Sequence, residues 1–119
     1  MWTVDYKVEL PVRVKKAGPG SEKPYTFCEL WKQTMAKFPD NNAINYEVSP
    51  NKWITWNYRK YYDECCVFGK SLIALGIKNY SSVNIIGFNS PYWAVAFSGS
   101  IFGHYLPIGI YTTNGPDAC

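Results

Sequence analysis

The residues of this chain that could do covalent or proton chemistry form none of the usual catalytic constellations. Four cysteines, Cys28, Cys65, Cys66 and Cys119, could act as nucleophiles, metal ligands or disulfide partners. None makes a C-x-x-C pair, and adjacent Cys65 and Cys66 are badly placed to bridge each other. The single histidine, His104, completes no zinc spacing with them. They read as free thiols of a reducing, cytoplasmic setting. His104 has no carboxylate or nucleophile near it in sequence, so a turn residue is favoured over a general base. Asp63 and Glu64 are neighbours on a predicted helix; they point apart and belong to a solvated face rather than to an acid–base pair. The phosphate loops G-x-x-x-x-G-K-S/T and G-x-G-x-x-G and the elbow G-x-S-x-G are all absent. No catalytic, cofactor-binding or metal residue is therefore assigned. Two turns remain, Gly87-Phe88-Asn89-Ser90 and Tyr111-Thr112-Thr113-Asn114. Each follows a predicted parallel strand, at the end where α/β proteins bind ligands. Plain strand–helix connections with capping groups read the same way.

The stretch that positions both turns is 82–113. No Asp, Glu, Lys or Arg lies between Lys78 and Asp117. Val83 to Phe88 is a short apolar run suited to a strand buried on both faces. Ser90 followed by Pro91 is a helix start, because the serine oxygen can take a free amide and proline suits the first helical position. Trp93, Ala96, Phe97, Ser100 and Ile101 recur three and four residues apart, which predicts the buried helix face. Gly103 fits the left-handed position after a helix. Leu106 to Tyr111 is strand-like again, so a right-handed parallel βαβ unit is expected. A membrane span over 92–110 is the rival, with Gly99 and Gly103 as a G-x-x-x-G pair. The serines, His104, Pro107 and a mean hydropathy of −0.22 favour the buried unit. The glycine pair then only lets the helix approach the sheet closely.

The preceding chain supplies the rest. Residues 2–15 alternate apolar and polar, which predicts a half-buried strand or hairpin arm, with Pro11 marking an edge or a break. A loop spans 17–24. Thr26-Phe27-Cys28-Glu29 is a capping box, stapled by Tyr25 and Leu30. Its helix is expected to bury Phe27, Leu30, Trp31, Thr34, Met35 and Phe38, and to end at Pro39. Residues 43–48 and 53–57 read as a hairpin. A longer helix over 58–75 carries the stripe Tyr61, Cys65, Phe68, Leu72, Leu75 and closes at Gly76. Residues 112–119 look like the start of another helix, with Thr113 or Asn114 as cap and Pro116 in its first turn.

A net charge of +3 and no basic run beyond Lys15-Lys16 argue against nucleic acid as a partner. There is no secretory start. The tyrosines and tryptophans are spread along the chain, which favours core over a cofactor box. Two parallel strands make a poor sheet alone, so the expectation is one domain or part of one.

Gly87-Phe88-Asn89-Ser90-Pro91-Tyr92-Trp93 and Gly109-Ile110-Tyr111-Thr112-Thr113-Asn114 resemble the long-chain acyl-CoA synthetases, most of all their bubblegum type. Residues 26–40, Trp53 to Tyr58 and Ser71 to Gly76 are similar to the same family's first helix, following strand and next helix end. The resemblance implies an α/β fold: the N-terminal part of a larger adenylate-forming domain, with a hairpin, three helices and a parallel βαβ unit. It divides the chain into a lead-in over 1–25 and the start of an AMP-binding domain over 26–119. It implies a parent that uses ATP, Mg2+ and coenzyme A to convert a fatty acid into its adenylate and then its thioester. The family's phosphate loop, Thr-Glu motif, ribose-binding aspartate and C-terminal lysine have no match here. No nucleotide residue is carried over, and the chain alone is expected to be inactive. A non-enzymatic α/β interaction module is the alternative. The resemblance implies a cytoplasmic protein and leaves peripheral association with the endoplasmic reticulum or another membrane open.

Overall fold

Thr26 opens the first helix in the way its sequence requires. Its hydroxyl accepts from the Glu29 amide at 3.1 Å, and the Glu29 carboxylate accepts from the Thr26 amide at 2.7 Å. The Thr26 amide and the Thr26 hydroxyl both donate to that carboxylate, and they hold it below its usual range. The computed structural model describes residues 8–118. Its elements are α1 (Phe27–Lys37), β1 (Asn42–Ser49), β2 (Lys52–Asn57), α2 (Tyr58–Ala74), β3 (Ser82–Ile86), α3 (Pro91–Phe102) and β4 (Leu106–Ile110), followed by a single 3-10 turn, Pro116–Ala118. The helix expected over 112–119 is only this turn within the described residues.

β1 and β2 pair as an antiparallel hairpin, with Ile44 opposite Trp56 and Tyr46 opposite Ile54. β3 and β4 pair in parallel, with Ser82 opposite Leu106 and Ile86 opposite Ile110. The core joins Trp56, Cys65 and Val95, with Ile44, Tyr46, Tyr61, Phe68 and Phe102 packed around them. Trp31 is the hub of a second, aromatic cluster. It meets Tyr61 edge-on at 4.9 Å, and Phe27, Tyr58 and Phe102 at 5.8–6.4 Å. The span 92–110 is divided between α3 and β4, and no helix among the described residues is long and apolar enough to cross a membrane.

Four expectations need correction. Residues 8–15 form no strand and are exposed, and no described strand pairs with them. Residues 2–7 lie outside the described part. On α1, Leu30 and Phe38 are exposed and only Trp31 is fully buried; Leu75 after α2 is likewise exposed. Gly103 is not left-handed. His104 takes that conformation instead (φ 64), and Gly103 is the cap before it.

The fourth correction concerns α3. Of the expected face, Ser100 is buried, whereas Trp93, Ala96, Phe97 and Ile101 are only half-buried; the other fully buried residues are Pro91, Val95, Ser98 and Gly99. The helix is apolar nearly all round, so size, rather than hydrophobicity, selects the face. Gly99 and Gly103 meet α2, not the sheet. A Cβ on Gly99 would stand 2.6 Å from the Cys65 carbonyl oxygen, and one on Gly69 would stand 2.7 Å from the Gly99 carbonyl oxygen. Helix backbones this close exclude any side chain at the crossing.

Candidate functional site

The register of the parallel pair brings the two flagged turns together. Ile86 and Ile110 are partners, so both strands release their chains at one edge. β3 turns away through Gly87, whose φ of 154 is open to glycine and strained for other residues. Ser90 then caps α3, accepting from the Trp93 amide at 3.2 Å. The β4 exit turns at Tyr111, where the Asn114 amide donates to the Tyr111 carbonyl at 3.0 Å. Between the turns lies a cleft of about 460 Å³, lined by Gly87, Phe88, Asn89, Trp93, Gly109, Ile110, Tyr111 and Thr112. A Cβ on Gly109 would stand 3.4 Å from the Trp93 ring, so the bare strand gives the indole its seat. Trp93 in turn stacks on Phe97 at 5.7 Å.

The cleft offers amides, an asparagine, a threonine and aromatic faces. It can bind and orient a ligand. It holds no carboxylate, imidazole, thiol or ammonium to move a proton or attack a bond. The other chemistry-bearing residues lie elsewhere. His104 precedes β4 and so sits at the opposite end of the parallel pair; its backbone carbonyl accepts from the Tyr80 amide at 2.8 Å. It stands in the turn between α3 and β4, in the left-handed conformation. Asp63 and Glu64 are exposed on α2. Cys28, Cys65 and Cys66 are free thiols, and Cys119 lies outside the described residues. Cys65 is buried, which pushes its pKa up to about 12 and keeps it a thiol. Among the described residues, no group of three or more His, Cys, Asp and Glu could hold a metal ion.

Sequence reasoning missed a second concavity. A groove of about 500 Å³ lies between α1, α2 and α3, lined by Phe27, Leu30, Trp31, Thr34, Tyr58, Tyr61, Phe97 and Ser98. Ser98 and Tyr61 are hydrogen-bonded at 3.1 Å. Burial raises the Tyr61 pKa, and this bond opposes the rise. The available signal was the spacing Tyr61, Cys65, Gly69 on α2 against Val95, Gly99, Gly103 on α3. Two rows of shrinking side chains let the helix backbones approach closely at Gly69 and Gly99.

Comparison with known proteins fits this fold. The family model described as "AMP-binding enzyme" matches residues 31–119. Long-chain-fatty-acid–CoA ligase ACSBG2 of Gallus gallus is 38% identical over all 119 residues, and ACSBG1 of Homo sapiens is 32% identical over the same length. The chain spans 16% of each of these two relatives. Among solved structures, the fatty acid AMP ligase from Legionella pneumophila superposes with a TM-score of 0.64, at 14% identity, over 76% of this chain and 16% of its own. The anthranilate CoA ligase AuaEII, in complex with anthranoyl-AMP, gives 0.64 at 20% identity, over 78% of this chain and 17% of its own. The match over most of the chain and the shared arrangement of hairpin, helices and parallel pair lead to one assignment: the chain belongs to the AMP-binding enzyme family.

Proposed function

We propose that this chain is the N-terminal part of a long-chain fatty acid–CoA ligase, with a lead-in over 1–25 and the start of the AMP-binding domain over 26–119. The supporting observation is a bare face. α3 covers one side of the β3–β4 pair, where Val83, Ile85, Pro107 and Gly109 point. The other side presents Ile86, Leu106 and Ile108, exposed by 64%, 52% and 46%. A parallel pair is stable when both faces are covered. Further polypeptide of the same domain is the natural cover, in a chain that aligns throughout with ligases several times longer.

In such a parent, ATP and Mg2+ would supply adenylation of a fatty acid and coenzyme A would accept the acyl group. The described residues do not fit the nucleotide or the metal. The strand-end cleft has no cation for a phosphate, and no carboxylate cluster faces it. This chain's part is to build one wall of the domain. The proposed location is the cytoplasm, with peripheral membrane association supplied by the parent. The experiment is immunopurification of the native polypeptide with an antibody to residues 8–25, followed by an assay for ATP-dependent acyl-CoA formation from a long-chain fatty acid. Activity in the native polypeptide and none in the purified 119-residue chain is the expected result. Activity in the short chain, or none in the native polypeptide, would contradict the proposal.

A further inference from the structure

We infer that Asn114 is a site of spontaneous deamidation, through which the turn after β4 gains a carboxylate with water as the only co-reactant. The inference stands on the turn itself and does not depend on the proposed ligase parent.

The sequence sets the reactive pair. Asn114-Gly115 is the one place in the chain where an asparagine precedes a glycine. The reaction joins groups of these two neighbours. The Gly115 amide nitrogen gives up its proton to hydroxide and attacks the side-chain carbonyl carbon of Asn114. A new C–N bond closes a five-membered imide. The bond to the side-chain nitrogen breaks, and that nitrogen takes a proton from water and leaves as ammonia. Water then opens the imide at either carbonyl, leaving aspartate or isoaspartate at position 114. Nothing is oxidised or reduced. A side chain on the second residue would crowd the attack and stiffen the backbone, and glycine does neither.

The fold leaves both partners of this reaction free. The Asn114 amide donates to the Tyr111 carbonyl at 3.0 Å, which ties the turn on its near side. Beyond that bond, the Asn114 carboxamide and the Gly115 N–H engage no partner among the described residues. Both residues are exposed, and a Cβ on Gly115 would meet nothing within 4 Å. Water can therefore reach the nitrogen, and the backbone has room to bend toward the ring. Other asparagines are held. The Asn57 carboxamide caps α2, accepting from the Lys60 amide at 2.9 Å, and the Tyr58 amide that follows it donates to the Asn41 carbonyl at 3.1 Å. Asn45 lies inside β1 and accepts from the Thr55 hydroxyl at 2.7 Å. Asn89 is exposed, but the side chain of Ser90 crowds the nitrogen next to it.

The position gives the change a consequence. The same turn contributes Tyr111 and Thr112 to the strand-end cleft. A carboxylate at 114 would be the first charge between Lys78 and Asp117, next to a cleft whose lining has none. It would oppose an anionic ligand there. Isoaspartate would in addition lengthen the backbone of the turn by one methylene.

The test uses the native polypeptide, purified with the antibody to residues 8–25 and held at neutral and at mildly alkaline pH. Digestion and mass spectrometry follow the amide-to-acid conversion at each asparagine, and a protein isoaspartyl methyltransferase counts the isoaspartate. Position 114 should convert first, at least about tenfold faster than Asn45 or Asn57, with isoaspartate among its products and a rate that rises with pH. A synthetic peptide of residues 108–118 gives the rate without a fold, and the native rate should lie within about tenfold of it. Gly115→Ala, whose added methyl group meets nothing, should slow conversion about tenfold and leave the fold intact. Conversion led by another asparagine, a native rate further below that of the peptide, or an unchanged rate in Gly115→Ala would overturn the inference.

Discussion

The two sides of the βαβ unit are finished to different degrees. On one side, α3 lies so close to α2 that Gly69 and Gly99 leave no room for a methyl group. Tyr61, Cys65 and Phe68 fill the space that remains, and the Tyr61 hydroxyl ties the helices through Ser98 and Ala94. On the other side, the parallel strands show isoleucine and leucine to solvent. Both sides come from one uncharged stretch of sequence. Hydrophobicity therefore tells that a surface is to be buried, and only packing detail tells whether this chain alone buries it. The glycine crossing is complete within the chain, and the strand face is not.

The largest expected effect is at the crossing. A glycine-to-alanine change in a helix ordinarily stabilises by about 1 kcal/mol. Gly99→Ala should instead destabilise by about 2 kcal/mol, because its Cβ must displace the Cys65 carbonyl or the Phe68 side chain. Urea unfolding of the chain checks both sign and size. The same side is sensitive to alkali. The Cys65 thiol is held protonated in the fold up to about pH 12, while an unfolded cysteine ionises near its ordinary value of 9.0. The stability it contributes is complete below that ordinary value and is lost as pH rises from there toward 12. Alkylation mapped by mass spectrometry should accordingly label exposed Cys28 well before Cys65 in the native state.

Smaller effects separate local from global structure. Thr26→Ala removes the α1 cap and should cost about 1 kcal/mol. With it goes the depressed Glu29 pKa, so the acid-side loss of stability should flatten as pH falls through the carboxylate range. The smallest effect is expected on the bare face. Ile108→Lys should change stability by less than about 0.5 kcal/mol, because the side chain lies on the uncovered face and is 46% exposed. It should nevertheless lower the binding of an apolar dye. A large loss of stability in Ile108→Lys would mean that the face is already covered.

Elements governed by local rules were legible in the sequence. The Thr26–Glu29 box, the Ser90–Pro91 helix start, the 49–52 hairpin turn and the Gly76 helix end each depend on a few adjacent residues. The place of each turn at the carboxyl end of a parallel strand was also legible; that the two line one cleft is what the structure adds. What could not be read depends on partners distant in sequence. The buried face of α3 was decided by Gly69, thirty residues before Gly99. The alternation over 8–15 is real, yet alternation needs a neighbouring strand to become structure. The aromatic groove was hidden because Phe27, Tyr61 and Ser98 come from three helices, each unremarkable alone.

The most direct test is the mass of the native polypeptide that carries this sequence, read by immunoblot with an antibody to residues 8–25. If the bare strand face is covered by further chain of one ligase domain, the band will be far larger than 13.6 kDa. A sole band at 13.6 kDa would contradict that, and the cover would have to come from a separate partner.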